Sequence, residues 1–282
     1  MKLFASDLDG TLLAINHKGD DEINAMLDKV CESGNIFAIA TGRMLNRATP
    51  DEFNRSVYQI CNNGAIITDD KGTIIYRDIF NKDALWDLLN LDEYDFDFMT
   101  ARNTYKKTSR EQWIEDRKSF KPPKWANEQE ENEDWHKKLM SDMIQYVIFS
   151  QTKEDIFKQD IVKVNLHLRN KVVDRTRIND LLKKYEGIIV NAPCDDGLYE
   201  ITNYGTDKGS AVAKVASLFH IKDEDVYTYG DGGNDVPMLE RFENSYAPCN
   251  GMDIAKNAAK QIIGDHRDHS VSKHIVSIID KK

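Results

Sequence analysis

The chain has 282 residues and a formal net charge of −10, so a binding surface for nucleic acid or for an anionic membrane is not expected. Its length suits two domains, because a single domain usually has about 100–200 residues. No apolar run approaches the roughly 18 residues of a membrane-spanning helix, and the first residues lack a signal-peptide pattern. These features predict a soluble cytoplasmic protein with neither a membrane partner nor a nucleic-acid partner.

The cysteines are scattered and form no Cys-x-x-Cys pair, so a zinc site or a disulfide framework is not supported. We interpret all four as free thiols: Cys31, Cys61, Cys194 and Cys249.

The first third of the chain alternates between short apolar segments and one amphipathic segment. Ile23, Met26 and Leu27 recur at helical spacing and predict a helix over residues 21–33, with Gly34 at its C-terminal cap. The apolar segments predict strands over residues 2–6, 35–40 and 57–61, and a hairpin of 65–68 with 73–77.

The last third repeats this alternation. It predicts helices over residues 208–219, 237–241, 255–259 and 273–279, and strands over 226–229 and 245–247. Strands that alternate with helices indicate a parallel sheet covered by helices on both faces. The first and last thirds therefore predict one Rossmann-like α/β core that is discontinuous in sequence.

The middle of the chain differs in composition and contains all four tryptophans. It predicts helices over residues 83–90, 110–119 and 175–185, strands over 95–100, 104–107, 145–149, 161–168, 188–192 and 198–201, and a charged loop over 118–138. We interpret it as an α+β domain inserted into the core. The predicted domains are thus residues 1–80 with 204–282, and residues 81–203.

Two polar clusters follow predicted strands in the first third, at the sheet edge where open α/β proteins bind ligands. Asp7 and Asp9 follow the first strand. Asp7 could attack phosphorus, and Asp9 could donate a proton to the leaving oxygen and later take one from water. Thr41 opens a Thr-Gly-Arg segment whose hydroxyl and backbone N–H groups could bind phosphate oxygens. The alternatives are a calcium loop for the first cluster and a helix N-cap for Thr41.

Two further clusters lie in the last third. Lys208 opens a predicted helix, where an ammonium group is unfavourable unless an anion lies nearby. Asp231 and Asp235 lie in a glycine-rich turn after a strand, and their oxygens suit a hard cation. The alternatives are a solvated lysine and a simple tight loop.

The order of these four clusters resembles the haloacid dehalogenase-like hydrolase superfamily: Asp-x-Asp-Gly-Thr, Thr-Gly-Arg, Asp-Lys-Gly, then Gly-Asp-x-x-Asn-Asp. The position and length of the insertion resemble those of its Cof-type phosphatases, which have a type IIB cap. The resemblance covers about residues 1–80 and 204–282.

The resemblance implies that Asp7 is the nucleophile and Asp9 the general acid and base, with Lys208 completing the catalytic set. It implies that Asp7, the backbone carbonyl of Asp9, and Asp231 hold Mg²⁺, while Asp235 supports the site by pairing with Lys208. The implied groups that bind the phosphoryl oxygens are the backbone N–H of Leu8 and residues Thr41, Gly42, Lys208 and Asn234. Gly232 departs from the pattern, because many relatives carry a side chain there.

The implied activity is Mg²⁺-dependent hydrolysis of a small-molecule phosphomonoester, such as a sugar phosphate, a nucleotide or a cofactor phosphate. Two alternatives remain: a phosphosugar mutase that uses the same aspartyl phosphate, and a catalytically silent regulator that binds a phosphate ligand. We expect a monomer or a weak homo-oligomer. Candidates for contacting the rest of the substrate are Trp113, Arg117, Trp125 and Asn63. The alternative for the first three is a place in the core or on a solvated helix face of the inserted domain, and the alternative for Asn63 is a turn residue.

Overall fold

The computed structural model describes residues 1–13, 18–117, 141, 144–168, 174–192 and 197–281. The predicted loop over residues 118–138 lies outside them. The chain divides into two compact units, a core unit of Met1–Asp78 with Gly205–Lys282 and an inserted unit of Ile79–Tyr204. Within the described residues, no helix is both long and apolar enough to cross a membrane.

The strands of the described residues are β1 (Leu3–Ser6), β2 (Ile36–Ala40), β3 (Tyr58–Cys61), β4 (Ile66–Thr68), β5 (Ile74–Arg77), β6 (Phe96–Met99), β7 (Thr104–Tyr105), β8 (Val147–Ile148), β9 (Lys163–His167), β10 (Ile189–Ala192), β11 (Leu198–Asn203), β12 (Val226–Tyr229), β13 (Asn244–Pro248) and β14 (Gln261–Ile263). The α-helices of the same residues are α1 (Asp21–Glu32), α2 (Lys82–Leu89), α3 (Arg110–Arg117), α4 (Lys153–Phe157), α5 (Thr176–Lys184), α6 (Lys208–Leu218), α7 (Val236–Arg241), α8 (Asp253–Ala258) and α9 (Ser270–Asp280).

The core unit contains a sheet with the strand order β14-β13-β12-β1-β2-β3-β4-β5. The strands from β14 to β3 in this order are parallel, and the hairpin of β4 and β5 continues the sheet in antiparallel fashion. Leu3 and Ala5 of β1 are buried in one hydrophobic layer with α6, α7 and α8. Phe4 is buried in a second layer with α1 and α9. The strands are apolar on both sides because both faces of the sheet are covered by helices.

The inserted unit contains a second sheet with the order β10-β11-β9-β6-β7-β8, antiparallel except between β7 and β8. Helices α2, α4 and α5 share one hydrophobic core with apolar residues of this sheet, such as Phe98 and Val164. The residues that alternate with them are polar yet buried, among them Asp97, Lys163 and Glu200. One face of this sheet therefore carries several buried polar side chains.

The predicted fold class, an α/β core with an inserted α+β domain, is confirmed. Among the strands and α-helices of the described residues, α4 and β14 were not predicted from the sequence. Helix α4 has five residues, too few to establish a helical period, and β14 has three residues of which two are exposed at the edge of the sheet.

Candidate active site

Three of the four predicted clusters follow strands that are neighbours in the sheet of the core unit. Asp7 follows β1, Thr41 follows β2 and Gly230, just before Asp231, follows β12, while the turn that contains the candidate Asn63 follows β3. These strands are adjacent and parallel in the order β12-β1-β2-β3, so their carboxyl ends lie at one edge. Backbone hydrogen bonds join the loops: Asp7 N–H donates to the carbonyl of Tyr229 at 2.9 Å.

Asp7 and Lys208 form the centre of this edge. The Lys208 ammonium is fully buried and donates to Oδ1 of Asp7 at 2.7 Å and to Oδ1 of Asp235 at 2.5 Å. Lys208 is the first residue of α6, whose N-terminus is capped by Asp207. The two carboxylates offset the unfavourable position of a cation at a helix N-terminus. The alternative of a solvated lysine is wrong.

Asp235 stabilises the glycine-rich turn after β12 through hydrogen bonds to its backbone. Its Oδ2 accepts hydrogen bonds from the backbone N–H groups of Asp231 and Gly232, at 3.0 and 2.8 Å. Its Oδ1 binds Lys208 at the same time. One carboxylate therefore holds both the lysine and the loop that carries Asp231, and the backbone of Gly232 takes part although it has no side chain.

Asp231 approaches the loop after β1. The Thr11 hydroxyl donates to its Oδ1 at 2.6 Å. Gly10 has φ +80, and a Cβ at this position would lie only 2.6 Å from Oδ2 of Asp231. A glycine is therefore required at position 10 both by its backbone conformation and by the close approach of the carboxylate.

The cluster carries one buried ammonium group and three carboxyl groups, of which those of Asp7 and Asp235 are buried and that of Asp231 is half-buried. Burial raises the pKa of the Asp7 carboxyl well above its usual range; Lys208 lowers this pKa, and the charges of Asp235 and Asp231 raise it further. Burial and the neighbouring Asp235 raise the pKa of Asp231 to about 7, although its hydrogen bond from Thr11 acts in the opposite direction. Burial alone would lower the pKa of Lys208, but Asp235 and Asp7 outweigh it and raise this pKa. Lys208 alone therefore does not offset the cost of ionising the carboxyl groups of Asp7 and Asp231 in this cluster.

Comparison with known proteins agrees with this arrangement of residues. A family model described as haloacid dehalogenase-like hydrolase matches residues 4–275. The chain belongs to the haloacid dehalogenase-like hydrolase family. It is 26% identical to 5-amino-6-(5-phospho-D-ribitylamino)uracil phosphatase YcsE of Bacillus subtilis (strain 168), over 98% of this chain and 94% of that protein.

Solved structures share the fold across both units. A haloacid dehalogenase-like hydrolase from B. subtilis aligns with a TM-score of 0.79 at 20% identity, covering 98% of this chain and 99% of that one. The HAD subclass IIB sugar phosphatase BT4131 aligns with a TM-score of 0.72 at 18% identity, covering 99% of each chain. The inserted unit therefore belongs to the fold that these proteins share.

The residues of this family member fit a divalent cation. Asp7, Asp231 and Asp235 can bring one carboxylate oxygen each within 4.8 Å of one another. Both oxygens of Asp235 already accept hydrogen bonds. Among the described residues, no group donates a hydrogen bond to Oδ2 of Asp7 or to Oδ2 of Asp231. These two hard oxygen ligands remain available to a metal ion, and the excess of two negative charges over Lys208 matches a divalent charge.

The predicted phosphate-binding residues lie around the same edge. Thr41 is buried, and its Oγ1 accepts from the backbone N–H of Arg43 at 3.2 Å rather than capping a helix. The amide of Asn234 donates to Oδ1 of Asn63 at 3.1 Å. Asn63 has φ +56, so it is an αL turn residue and also contacts Asn234. Leu8 has a buried side chain, and Gly42 lies between Thr41 and Arg43.

The remaining candidates in the inserted unit do not form a site in the described residues. Trp113 of α3 is buried, and its ring packs against Phe149 at 5.6 Å between centroids. It is therefore a packing residue of the inserted unit. Trp125 and the side chain of Arg117 lie outside the description.

Two side-chain contacts of the candidate site were not predicted from the sequence. Arg43 binds both carboxylate oxygens of Asp9, and Thr11 binds Asp231. Both residues belong to the motifs themselves, since Arg43 ends Thr-Gly-Arg and Thr11 ends Asp-x-Asp-Gly-Thr. Their presence in the motifs was the available signal, but the partner of each side chain depends on the tertiary fold.

Proposed function

We propose that this family member is a Mg²⁺-dependent phosphatase that hydrolyses small-molecule phosphomonoesters through an aspartyl phosphate on Asp7. The single observation that carries the proposal is the buried cluster in which Lys208 contacts both Asp7 and Asp235 while Asp231 lies beside them. Phosphoryl transfer needs a nucleophile, fixed positive charge and a metal ion at one point, and this cluster offers a carboxylate nucleophile, a lysine and carboxylate ligands that would hold the ion.

The reaction has two steps. A carboxylate oxygen of Asp7 forms a bond to phosphorus while the ester P–O bond breaks, and Asp9 gives its proton to the leaving alkoxide. Asp9 then takes a proton from water, whose oxygen attacks phosphorus and releases Asp7 and inorganic phosphate. The proton taken in the second step replaces the one donated in the first, so each turnover consumes one water molecule.

The surrounding groups stabilise charge on the phosphoryl oxygens. Lys208, the Thr41 hydroxyl, the Asn234 amide and the backbone N–H groups of Leu8 and Gly42 are the proposed donors. Asp7, the carbonyl of Asp9, and Asp231 would hold Mg²⁺. The ion would supply positive charge that lets an ionised Asp7 approach an anionic ester. Asp235 keeps Lys208 and the metal-binding turn in place.

The relatives favour polyhydroxylated substrates. YcsE is named for a phosphate ester on a ribityl chain, and BT4131 is named a sugar phosphatase. Both names describe phosphate esters of polyhydroxylated carbon chains. We therefore propose sugar phosphates and sugar-alcohol phosphates, including 5-amino-6-(5-phospho-D-ribitylamino)uracil, as the first substrates to test ahead of nucleotides and cofactor phosphates. The cytoplasmic location and the monomeric or weakly oligomeric state remain predictions.

The test is phosphate release from a panel of these esters and from p-nitrophenyl phosphate, with Mg²⁺ and with EDTA. Asp7→Asn should lower turnover by about 10⁴-fold or more, because it removes the nucleophile. Asp70→Asn is the matched control, since Asp70 is an exposed turn residue of the same unit. Normal turnover by Asp7→Asn would overturn the mechanism. Isomerised sugar phosphate without free phosphate would indicate the mutase, and a folded protein that turns over no ester would indicate the silent regulator.

A further inference from the structure

Arg43 holds the carboxylate that we propose as the acid and base. Its Nε donates to Oδ2 of Asp9 at 2.8 Å, and its Nη2 donates to Oδ1 of the same residue. This is a bidentate contact between a planar guanidinium group and a carboxylate. Such a contact fixes the plane of the carboxylate as well as its position.

The fold fixes Arg43 in turn. Its backbone N–H donates to the Thr41 hydroxyl at 3.2 Å, and its carbonyl accepts from the N–H of Asn62 at 2.9 Å. Its Nη1 donates to the carbonyl of Arg47 at 3.3 Å. The backbone of Arg43 is thus hydrogen-bonded to residues that follow β2 and β3, and its guanidinium group is hydrogen-bonded to the carbonyl of Arg47. These contacts fix both the backbone and the side chain of the arginine that binds Asp9.

We propose that Arg43 is a positioning residue, which aims the Asp9 carboxyl at the leaving oxygen and at the hydrolytic water without itself contacting the reacting atoms. The inference rests on the proposed function. Asp9 needs such help because it follows the nucleophile by two residues in a loop, and its side chain is about one-third exposed, at 35%. An unheld side chain there would sample several rotamers, and proton transfer requires one.

The contact leaves Asp9 able to act. Each carboxylate oxygen has two lone pairs, and the contact with Arg43 engages one on each oxygen. The contact therefore does not itself block the proton that the Asp9 carboxyl passes to the leaving alkoxide as the ester P–O bond breaks. Nor does it block the proton that Asp9 takes from the water that attacks phosphorus afterwards. Arg43 neither gains nor loses a proton in either step.

The test compares two leaving groups on one preparation. p-Nitrophenolate departs as a stable anion and needs no proton, whereas a sugar alkoxide does need one. Arg43→Met should lower kcat/KM for the sugar phosphate by about 10–100-fold relative to kcat/KM for p-nitrophenyl phosphate, since general acid catalysis contributes about 10²–10⁴-fold. The ratio of the two values is independent of the fraction of protein that is folded.

Three control variants sharpen the test. Arg43→Lys keeps the charge but loses the planar fork, so its ratio should fall between the wild-type value and that of Arg43→Met. Arg55→Met removes an arginine that binds Asp28 at 2.5 Å on the surface, and the ratio should not change. In an Asp9→Asn background, Arg43→Met should change the ratio no further, because the two residues act as one unit.

The outcomes separate the inference from the proposed function. If the wild-type protein releases no phosphate, the proposed function fails. If the wild-type protein is active but Arg43→Met lowers kcat/KM equally for both substrates, Arg43 binds phosphate or supports the fold, and the inference is wrong. A further fall of the ratio in the Asp9→Asn background would also overturn it, because Arg43 would then act without Asp9.

Discussion

Each unit of the protein buries lysines and carboxylates on a sheet, but the balance of charge differs. The core cluster comprises Asp7, Asp231, Asp235 and Lys208. The sheet-face pairs of the inserted unit are Lys163 with Glu200, and Lys106 with Asp95 and Asp97. All three lysines are fully buried. Three carboxylates share one lysine in the core cluster, whereas three carboxylates share two lysines in the inserted unit.

The difference separates a site from a structural network. Burying a carboxylate is costly unless a nearby cation compensates its charge. In the sheet-face pairs, Lys163 on β9 contacts Glu200 on the neighbouring β11, and Lys106, directly after β7, contacts Asp95 and Asp97 at the start of the neighbouring β6. These lysines meet most of that demand. In the core cluster the demand is unmet, and burial raises the pKa of Asp7 and of Asp231. The core cluster therefore leaves more carboxylate charge for a further cation to compensate than the sheet-face pairs do.

Among the changes that test this comparison of the two regions, the largest effect is expected from removing the lysine of each region. Lys208→Met should lower turnover of p-nitrophenyl phosphate by about 10³-fold, because it removes a fixed charge aimed at the phosphoryl group. It should also lower the free energy of unfolding by about 3–5 kcal/mol, since it leaves buried carboxylates without their partner. Phosphate release and denaturant unfolding measure the two effects.

Lys163→Met is the matched control in the inserted unit. It breaks a buried pair with Glu200 and should cost a similar amount of stability, about 3–5 kcal/mol. Turnover of p-nitrophenyl phosphate should remain close to wild type at temperatures where the variant is folded. Equal losses of turnover in Lys208→Met and Lys163→Met would mean that the different charge balance of the two regions does not decide which lysine takes part in catalysis.

The sequence was sufficient to predict the alternation of strands and helices and to select Asp7, Lys208 and Asp231 as candidates. Strand ends in a parallel sheet converge at one edge, so Asp7 after β1 and Asp231 after β12 could be placed together by topology alone. Lys208 begins a helix and follows no strand of this sheet, so only the motif order of the resemblance placed it with them. The fork of Arg43 on Asp9 could not be predicted in this way. It depends on side-chain rotamers and on the exact register between loops, which local patterns do not encode.

The next largest expected effect is the increase in the free energy of unfolding when Mg²⁺ binds. Mg²⁺ at a hundred times its dissociation constant should raise the free energy of unfolding by about 2.7 kcal/mol. Asp231→Asn should abolish this increase, because it replaces a carboxylate ligand whose Oδ2 is available to the ion. Calorimetric unfolding with Mg²⁺ and with EDTA measures the increase without any substrate.

Glu200→Gln is the control for this measurement, since Glu200 is a buried carboxylate of the sheet-face pairs. That variant should be less stable than wild type but should retain the full Mg²⁺-dependent increase. If Glu200→Gln loses the increase and Asp231→Asn keeps it, the cation binds in the inserted unit and the comparison between the regions is reversed.

The smallest effect separates backbone strain from crowding at the site. Gly10 has φ +80 and Gly72, in the β4–β5 turn, has φ +79. A Cβ at position 72 would meet no heavy atom within 4 Å. Gly72→Ala should therefore lower the free energy of unfolding only by the strain of a left-handed residue, about 1–2 kcal/mol, and should leave turnover unchanged.

Gly10→Ala introduces the same backbone strain and also places its Cβ 2.6 Å from Oδ2 of Asp231. It should lower the free energy of unfolding by about 1–3 kcal/mol more than Gly72→Ala does, as overpacking does, and should weaken the Mg²⁺-dependent increase in stability. Equal costs in the two variants, with Mg²⁺ binding intact, would show that Asp231 can move away freely and that the close approach of the two loops does not shape the site.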